Sequence, residues 1–117
     1  MKLADLEVSR QGGVVVARII GEVDMSNADE LRVALAAAMP AEATGTVLDL
    51  TKVDYLDSAG IRMLYHLNED VQARRQSLQV VVPSNSMVSD VLRLAGVAEY
   101  VGAVETVDEA LVRLQAS

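Results

Sequence analysis

Short runs of β-branched and aliphatic residues alternate along this chain with longer segments whose apolar residues recur at helical spacing. That alternation constrains the fold more than any other feature. Val14-Val15-Val16-Ala17-Arg18-Ile19-Ile20 reads as a strand, as do Thr44 to Leu50 and Leu78 to Val82, the last stopped by Pro83. Leu3 to Ser9 reads as a shorter strand with imperfect alternation. Arg10-Gln11-Gly12-Gly13 makes it one arm of a hairpin with Val14 to Ile20, because glycine reaches positive φ without steric cost. Tyr100 to Val104 reads as a weak last strand.

Helical patterns fill the spaces between. Gly21 to Met25 is expected to be a loop and Ser26 the N-cap of a helix, with Asp29 and Glu30 near its positive end. Leu31, Ala34, Leu35 and Ala38 form its apolar stripe, and Pro40 closes it. A long second helix is expected from Ser58 to about Arg75, with Ile61, Leu64, Tyr65, Asn68 and Val71 on one face. Ser84 or Ser86 caps a third, carrying Met87, Val88, Val91, Leu92 and Leu94 and ending at Gly96. Thr106-Val107-Asp108-Glu109 is a capping box for a fourth, with Ala110, Leu111 and Leu114 at helical spacing. A hairpin followed by helix–strand units implies an α/β fold: a mixed sheet of four to five strands, antiparallel at one edge, with about four helices mostly on one face. At 117 residues a single domain, 1–117, is expected.

Charge and composition narrow the function. A net charge of -7 repels a phosphate backbone and an anionic membrane surface, which argues against nucleic acid and membrane as partners. With no cysteine, thiol nucleophiles, thiolate metal sites and disulfides are excluded. Met1-Lys2 is soon followed by Asp5, Glu7 and Arg10, unlike a secretory leader, and no apolar run approaches the ~20 residues that span a bilayer, so a cytoplasmic protein is expected. Arg74-Arg75 reads as a solvated helix end, and the scattered methionines as core filling.

The most informative stretch begins where the central strand ends. Val47-Leu48-Asp49-Leu50 delivers a polar loop, Thr51-Lys52-Val53-Asp54-Tyr55-Leu56, and then Asp57-Ser58-Ala59-Gly60 opens the long helix. The carboxyl end of such a strand is where α/β proteins place ligand sites, and a helix N-terminus favours an anion. Two readings fit: Asp57 or Ser58 is simply an N-cap, with Gly60 allowing close packing, or Ser58 accepts a phosphate. Ala59 and Gly60 keep the first turn small enough for a partner to approach the backbone. His66, the single histidine, lies about two turns from Ser58, roughly 12 Å along the helix, too far to act as its base. Asp49, Asp54 and Asp57 read as solvated loop acids, and neither a Gly-x-Ser-x-Gly elbow nor a glycine-rich phosphate loop occurs. Catalytic residues, metal ligands and a cofactor are therefore not expected.

Gly21-Glu22-Val23-Asp24 after a strand, the Leu48-Asp49-Leu50 strand end, Val53-Asp54-Tyr55-Leu56-Asp57-Ser58-Ala59-Gly60 and Leu94-Ala95-Gly96-Val97 together resemble the STAS domain. More narrowly they resemble the stand-alone bacterial anti-sigma factor antagonists. The resemblance implies partner switching. An anti-sigma factor that is also a kinase phosphorylates the serine of Asp-Ser-x-Gly, here Ser58, using its own ATP and Mg²⁺. The unphosphorylated antagonist binds that factor, and a phosphatase restores it. It also implies that Asp24 and Ser26 share a binding surface with Asp57, Ala59 and Gly60. Some members carry a second hydroxyl after the serine; Ala59 leaves Ser58 as the sole acceptor in the motif. The alternative within the same resemblance is a non-phosphorylated scaffold subunit of a transporter or stressosome-like assembly.

Overall fold

The computed structural model describes residues 4–39, 42–97 and 102–116. β1 (Ala4–Gln11) and β2 (Val14–Val23) form the expected antiparallel hairpin, in register from Ala4↔Gly21 to Gln11↔Val14. Gly12, at φ +63°, makes the turn in the region that glycine enters freely. β3 (Gly45–Leu56), β4 (Ser77–Val81) and β5 (Gly102–Val104) then join in parallel, so the sheet runs β1-β2-β3-β4-β5. Leu3, Pro40, Tyr100 and Val101, which the sequence placed at element ends, lie outside the described residues.

α1 (Ala28–Ala38), α2 (Ser58–Ala73) and α3 (Met87–Leu94) make the crossovers from β2 to β3, β3 to β4 and β4 to β5. Each adds the next strand in the same direction, and right-handed crossovers of that kind put their helices on one face. The main core lies there. Leu31 and Leu35 of α1, Met63, Leu64, Leu67 and Val71 of α2 and Val88 and Leu92 of α3 pack on Ile19, Leu48, Leu50 and Val80. The alternate residues Val14, Val16, Val47, Val81 and Val104 point the other way. α4 (Val107–Ala116) covers them through Ala110, Val107, Leu111 and Leu114. Three helices on one face and one on the other matches the expected mixed α/β arrangement. Among the described residues no helix is long and apolar enough to cross a membrane.

Two expectations fail at the carboxyl ends of β2 and β3. Gly21 to Met25 and Thr51 to Leu56 are not loops up to their last residues: β2 continues to Val23 and β3 to Leu56. Their polar composition hides a parallel ladder, Ile20↔Lys52, Gly21↔Val53, Glu22↔Tyr55 and Val23↔Leu56, with register shifts on either side of Gly21. Gly21 has φ +114°, a conformation that lets the strand bend at such an irregularity. Smaller corrections concern the helix faces. Ala34 of α1 is exposed, and on α2 Met63 and Leu67 are buried where the stripe had been drawn through Ile61 and Tyr65, which are only half-buried.

Candidate functional site

Parallel strands β2 and β3 end side by side, so the segment leading into α1 and the segment leading into α2 meet at one edge of the molecule. The junction is tied by Asp57. Its N–H donates to the Val23 carbonyl at 3.2 Å, extending the ladder by one residue. Its Oδ1 accepts from the N–H groups of Ala59 at 2.8 Å and Gly60 at 3.1 Å, the arrangement of an N-cap. Its Oδ2 reaches across to the Met25 N–H at 3.3 Å. Of the two candidates for the cap, Asp57 is the residue used, and one carboxylate serves both segments.

The β2–α1 segment is held by a second set of bonds. Asp24 Oδ1 accepts from the Ser26 N–H at 2.8 Å and from the Ser26 hydroxyl. Those two contacts, the hydroxyl first, hold the Asp24 carboxyl below its ordinary pKa. Ser26 is therefore not the N-cap of α1, as the sequence had placed it. Asn27 occupies that position, and its side chain works backward: Oδ1 accepts from the Asp24 N–H at 3.0 Å while Nδ2 donates to the Glu22 carbonyl at 2.8 Å. Asn27 is buried and was missed. The signal was present, because counting back from Ala28, Leu31 and Leu35 puts the residue before the first helical turn at 27.

Ser58 occupies the first helical position of α2. It is exposed, and among the described residues its hydroxyl has no hydrogen-bond partner. Ala59 is half-buried and packs on the core. Gly60 is buried, and a Cβ there would meet Leu56 and Val23, so this residue serves close packing of the first helical turn. Met25 stands out on the same edge at 84% exposure, on a backbone pinned by the Asp57 bond. The edge thus presents a free hydroxyl, an exposed apolar side chain and acidic neighbours on a hydrogen-bonded frame. The anion that sits at the helix N-terminus is Asp57 itself, so the dipole and two of its N–H groups are already engaged.

Other expected roles resolve differently. Asp49 is not a solvated loop acid: it is 1% exposed, its Oδ2 accepts from Arg18 Nε at 3.1 Å, and its Oδ1 accepts from the Thr51 hydroxyl at 2.7 Å. The parallel register sets Arg18 directly opposite Asp49. Asp54 is exposed on β3, so the three aspartates do not converge. His66 Nδ1 lies 3.3 Å from Glu69 Oε1 on its own helix. Arg74 does more than end a helix, since its Nη1 donates to the Met39 carbonyl at 2.6 Å and ties α2 to the end of α1.

Known proteins place this geometry. BtrV of Bordetella bronchiseptica, described as an anti-sigma factor antagonist, is 36% identical over 59 residues, which are 50% of this chain and 51% of BtrV. The chain thus spans about half the length of the curated relative it matches. A crystal structure of an anti-sigma factor antagonist from Mycobacterium paratuberculosis superposes with a TM-score of 0.85 at 26% identity, covering 96% of this chain and 94% of that one. The anti-sigma factor antagonist SpoIIAA in its unphosphorylated form shares the fold, with a TM-score of 0.75 at 19% identity over 97% and 98% of the two chains. The sequence pattern of the STAS domain matches residues 5–110, nearly the whole molecule, and the chain belongs to the STAS domain family.

Proposed function

We propose that this chain is an anti-sigma factor antagonist that works by partner switching, with Ser58 as the switched residue. One observation carries the reading: an exposed, unbonded serine hydroxyl on a first helical turn whose N–H groups are held by the neighbouring Asp57. Nothing in that arrangement activates the hydroxyl, so the chemistry comes from a partner. An anti-sigma factor with kinase activity brings ATP and Mg²⁺. The Ser58 oxygen attacks the γ-phosphorus, the bond to the β-phosphate oxygen breaks and leaves ADP, and a base of the partner takes the serine proton. A phosphatase reverses the modification by hydrolysis.

The docking surface comprises Asp24, Met25 and Ser26 of the β2–α1 segment together with Ser58 and Ala59, with Asp57 and Gly60 shaping it from beneath. A phosphate adds about -1.5 to -2 charge at a contact that fits a neutral hydroxyl. Like charges at Asp57 and Asp24 offset what the helix end would contribute, so the fold changes little in stability while the partner is rejected.

The test is incubation with the cognate kinase and ATP, read by intact mass, alongside pull-down of the anti-sigma factor. A single phosphate on the wild type, none on Ser58→Ala, and loss of capture by Ser58→Asp are expected. Equal phosphate on Ser58→Ala would refute the acceptor. Undiminished capture by Ser58→Asp would refute the switch and favour a constitutive scaffold.

A further inference from the structure

Arg62 follows Ser58 by four residues on α2, and side chains at that spacing share a helix face about 5–6 Å apart. Between Ser58 and Tyr65 it is the only cationic residue. Its side chain is exposed and, among the described residues, makes no hydrogen bond or ion pair. Arg18, Arg32 and Arg93 each hold a carboxylate instead. The two acids that frame the Ser58 edge have settled places. Asp57 takes the N–H groups of Ala59, Gly60 and Met25, and Asp24 takes those of Ser26. In the groove that Arg62 lines with α1, Arg32 is bound to Asp70 and Asp29 faces the same space, while His66 on Arg62's own helix has its Nδ1 3.3 Å from Glu69 Oε1. A phosphate on Ser58 thus finds the helix end occupied and acidic, with one uncommitted guanidinium a turn away.

We propose that Arg62 is the intramolecular counter-ion of phosphorylated Ser58, receiving the phosphate monoester through paired N–H donors. The proposal rests on Ser58 being the acceptor and names what receives the group. Pairing folds the phosphate back along α2, away from Asp57 and Asp24, and draws Arg62 out of the α1–α2 groove. The modified form then carries an added anion on its docking face and a withdrawn cation in the adjoining α1–α2 groove.

The experiment installs phosphoserine at position 58 by genetic encoding, so no kinase enters the measurement. A failure of the pairing is thereby distinguishable from a failure of the kinase reading. The ³¹P signal is titrated with pH in the phosphorylated wild type, Arg62→Gln and Arg62→Lys. A nearby guanidinium favours the dianion and holds the phosphate midpoint below its ordinary value near 6, so its removal raises that midpoint, by on the order of half a pH unit. Arg62→Lys keeps the charge and should lie between the other two. Thermal unfolding of the phosphorylated form should fall in Arg62→Gln, whereas the unmodified proteins melt together. Coincident ³¹P titrations of wild type and Arg62→Gln would overturn the proposal, and so would a lysine variant displaced as far as the glutamine one.

Discussion

Gly60→Ala adds one methyl group where the structure leaves no room for it. A Cβ on Gly60 would run into Leu56 Cδ1, and it would lie 2.9 Å from Leu56 Cγ and 3.2 Å from Val23 Cγ1. The Cγ contact matters most, because rotation about χ2 swings Cδ1 aside but leaves Cγ in place. Leu56 is 2% exposed and Val23 is fully buried, so neither can retreat into solvent. Overpacking of this kind costs about 1–3 kcal/mol. Alanine recovers up to about 1 kcal/mol relative to glycine in a helix, and less in a first turn. The net expectation is a loss of about 1–2 kcal/mol, or roughly 5 °C in Tm for a chain of this size. Urea unfolding followed by circular dichroism measures it, in the wild-type and Leu56→Ala backgrounds. On Leu56→Ala the methyl has space, and the same substitution becomes neutral or mildly stabilising. Wild-type stability for Gly60→Ala, or an equal loss in both backgrounds, would refute the packing argument. The displaced first turn also carries Asp57 away from the Met25 N–H, so capture of the partner should weaken along with stability.

Asp57→Ala removes the cap of α2 and the bridge to the β2–α1 segment together, and about 1–2 kcal/mol should be lost in the same unfolding assay. Amide exchange at Met25, Ala59 and Gly60 should quicken, and unchanged exchange at Met25 would show that the bridge does not hold in solution. Ser26→Ala should raise the Asp24 titration midpoint, read by carboxyl ¹³C shifts, because the hydroxyl is the first cause of its depression. A carboxyl with a folded pKa below its unfolded value contributes stability above the unfolded value and loses it as pH falls through the folded one. Any advantage of wild type over Ser26→Ala should therefore be present at neutral pH and vanish in acid, and an unmoved Asp24 midpoint would refute the contact.

The candidate site was legible in the sequence where its signals are local. The Asp57-Ser58 pair sits where a polar stretch gives way to helix periodicity, and either residue is a cap on sequence grounds. Thr106 and Glu109 form the expected box, with the Glu109 N–H donating to the Thr106 hydroxyl at 3.1 Å. Ser86 caps α3 in the same way, accepting from the Ser89 N–H at 3.0 Å. The failures share another cause. Thr51 to Leu56 reads as a loop because Lys52 and Asp54 interrupt it with residues depleted in strands, yet the neighbouring end of β2 supplies a partner for its backbone. Asp49 reads as solvated because the polar stretch that follows it suggests a loop. Arg18, which neutralises it, is 31 residues away and arrives only through the parallel register.

The sequence by itself determined the α/β class, the hairpin edge and a helix opening at the Asp57-Ser58 pair. All of these follow from propensity and capping within a few residues. Tertiary structure alone decided what Asp57 does beyond capping. Its second oxygen holds the Met25 backbone 32 residues away. It also decided that Gly60 packs against Leu56, and that β2 and β3 run on past their apolar cores. Each of these depends on which strand lies beside which and in what register. That is a long-range outcome of right-handed crossovers and core packing, which a window of neighbouring residues does not contain.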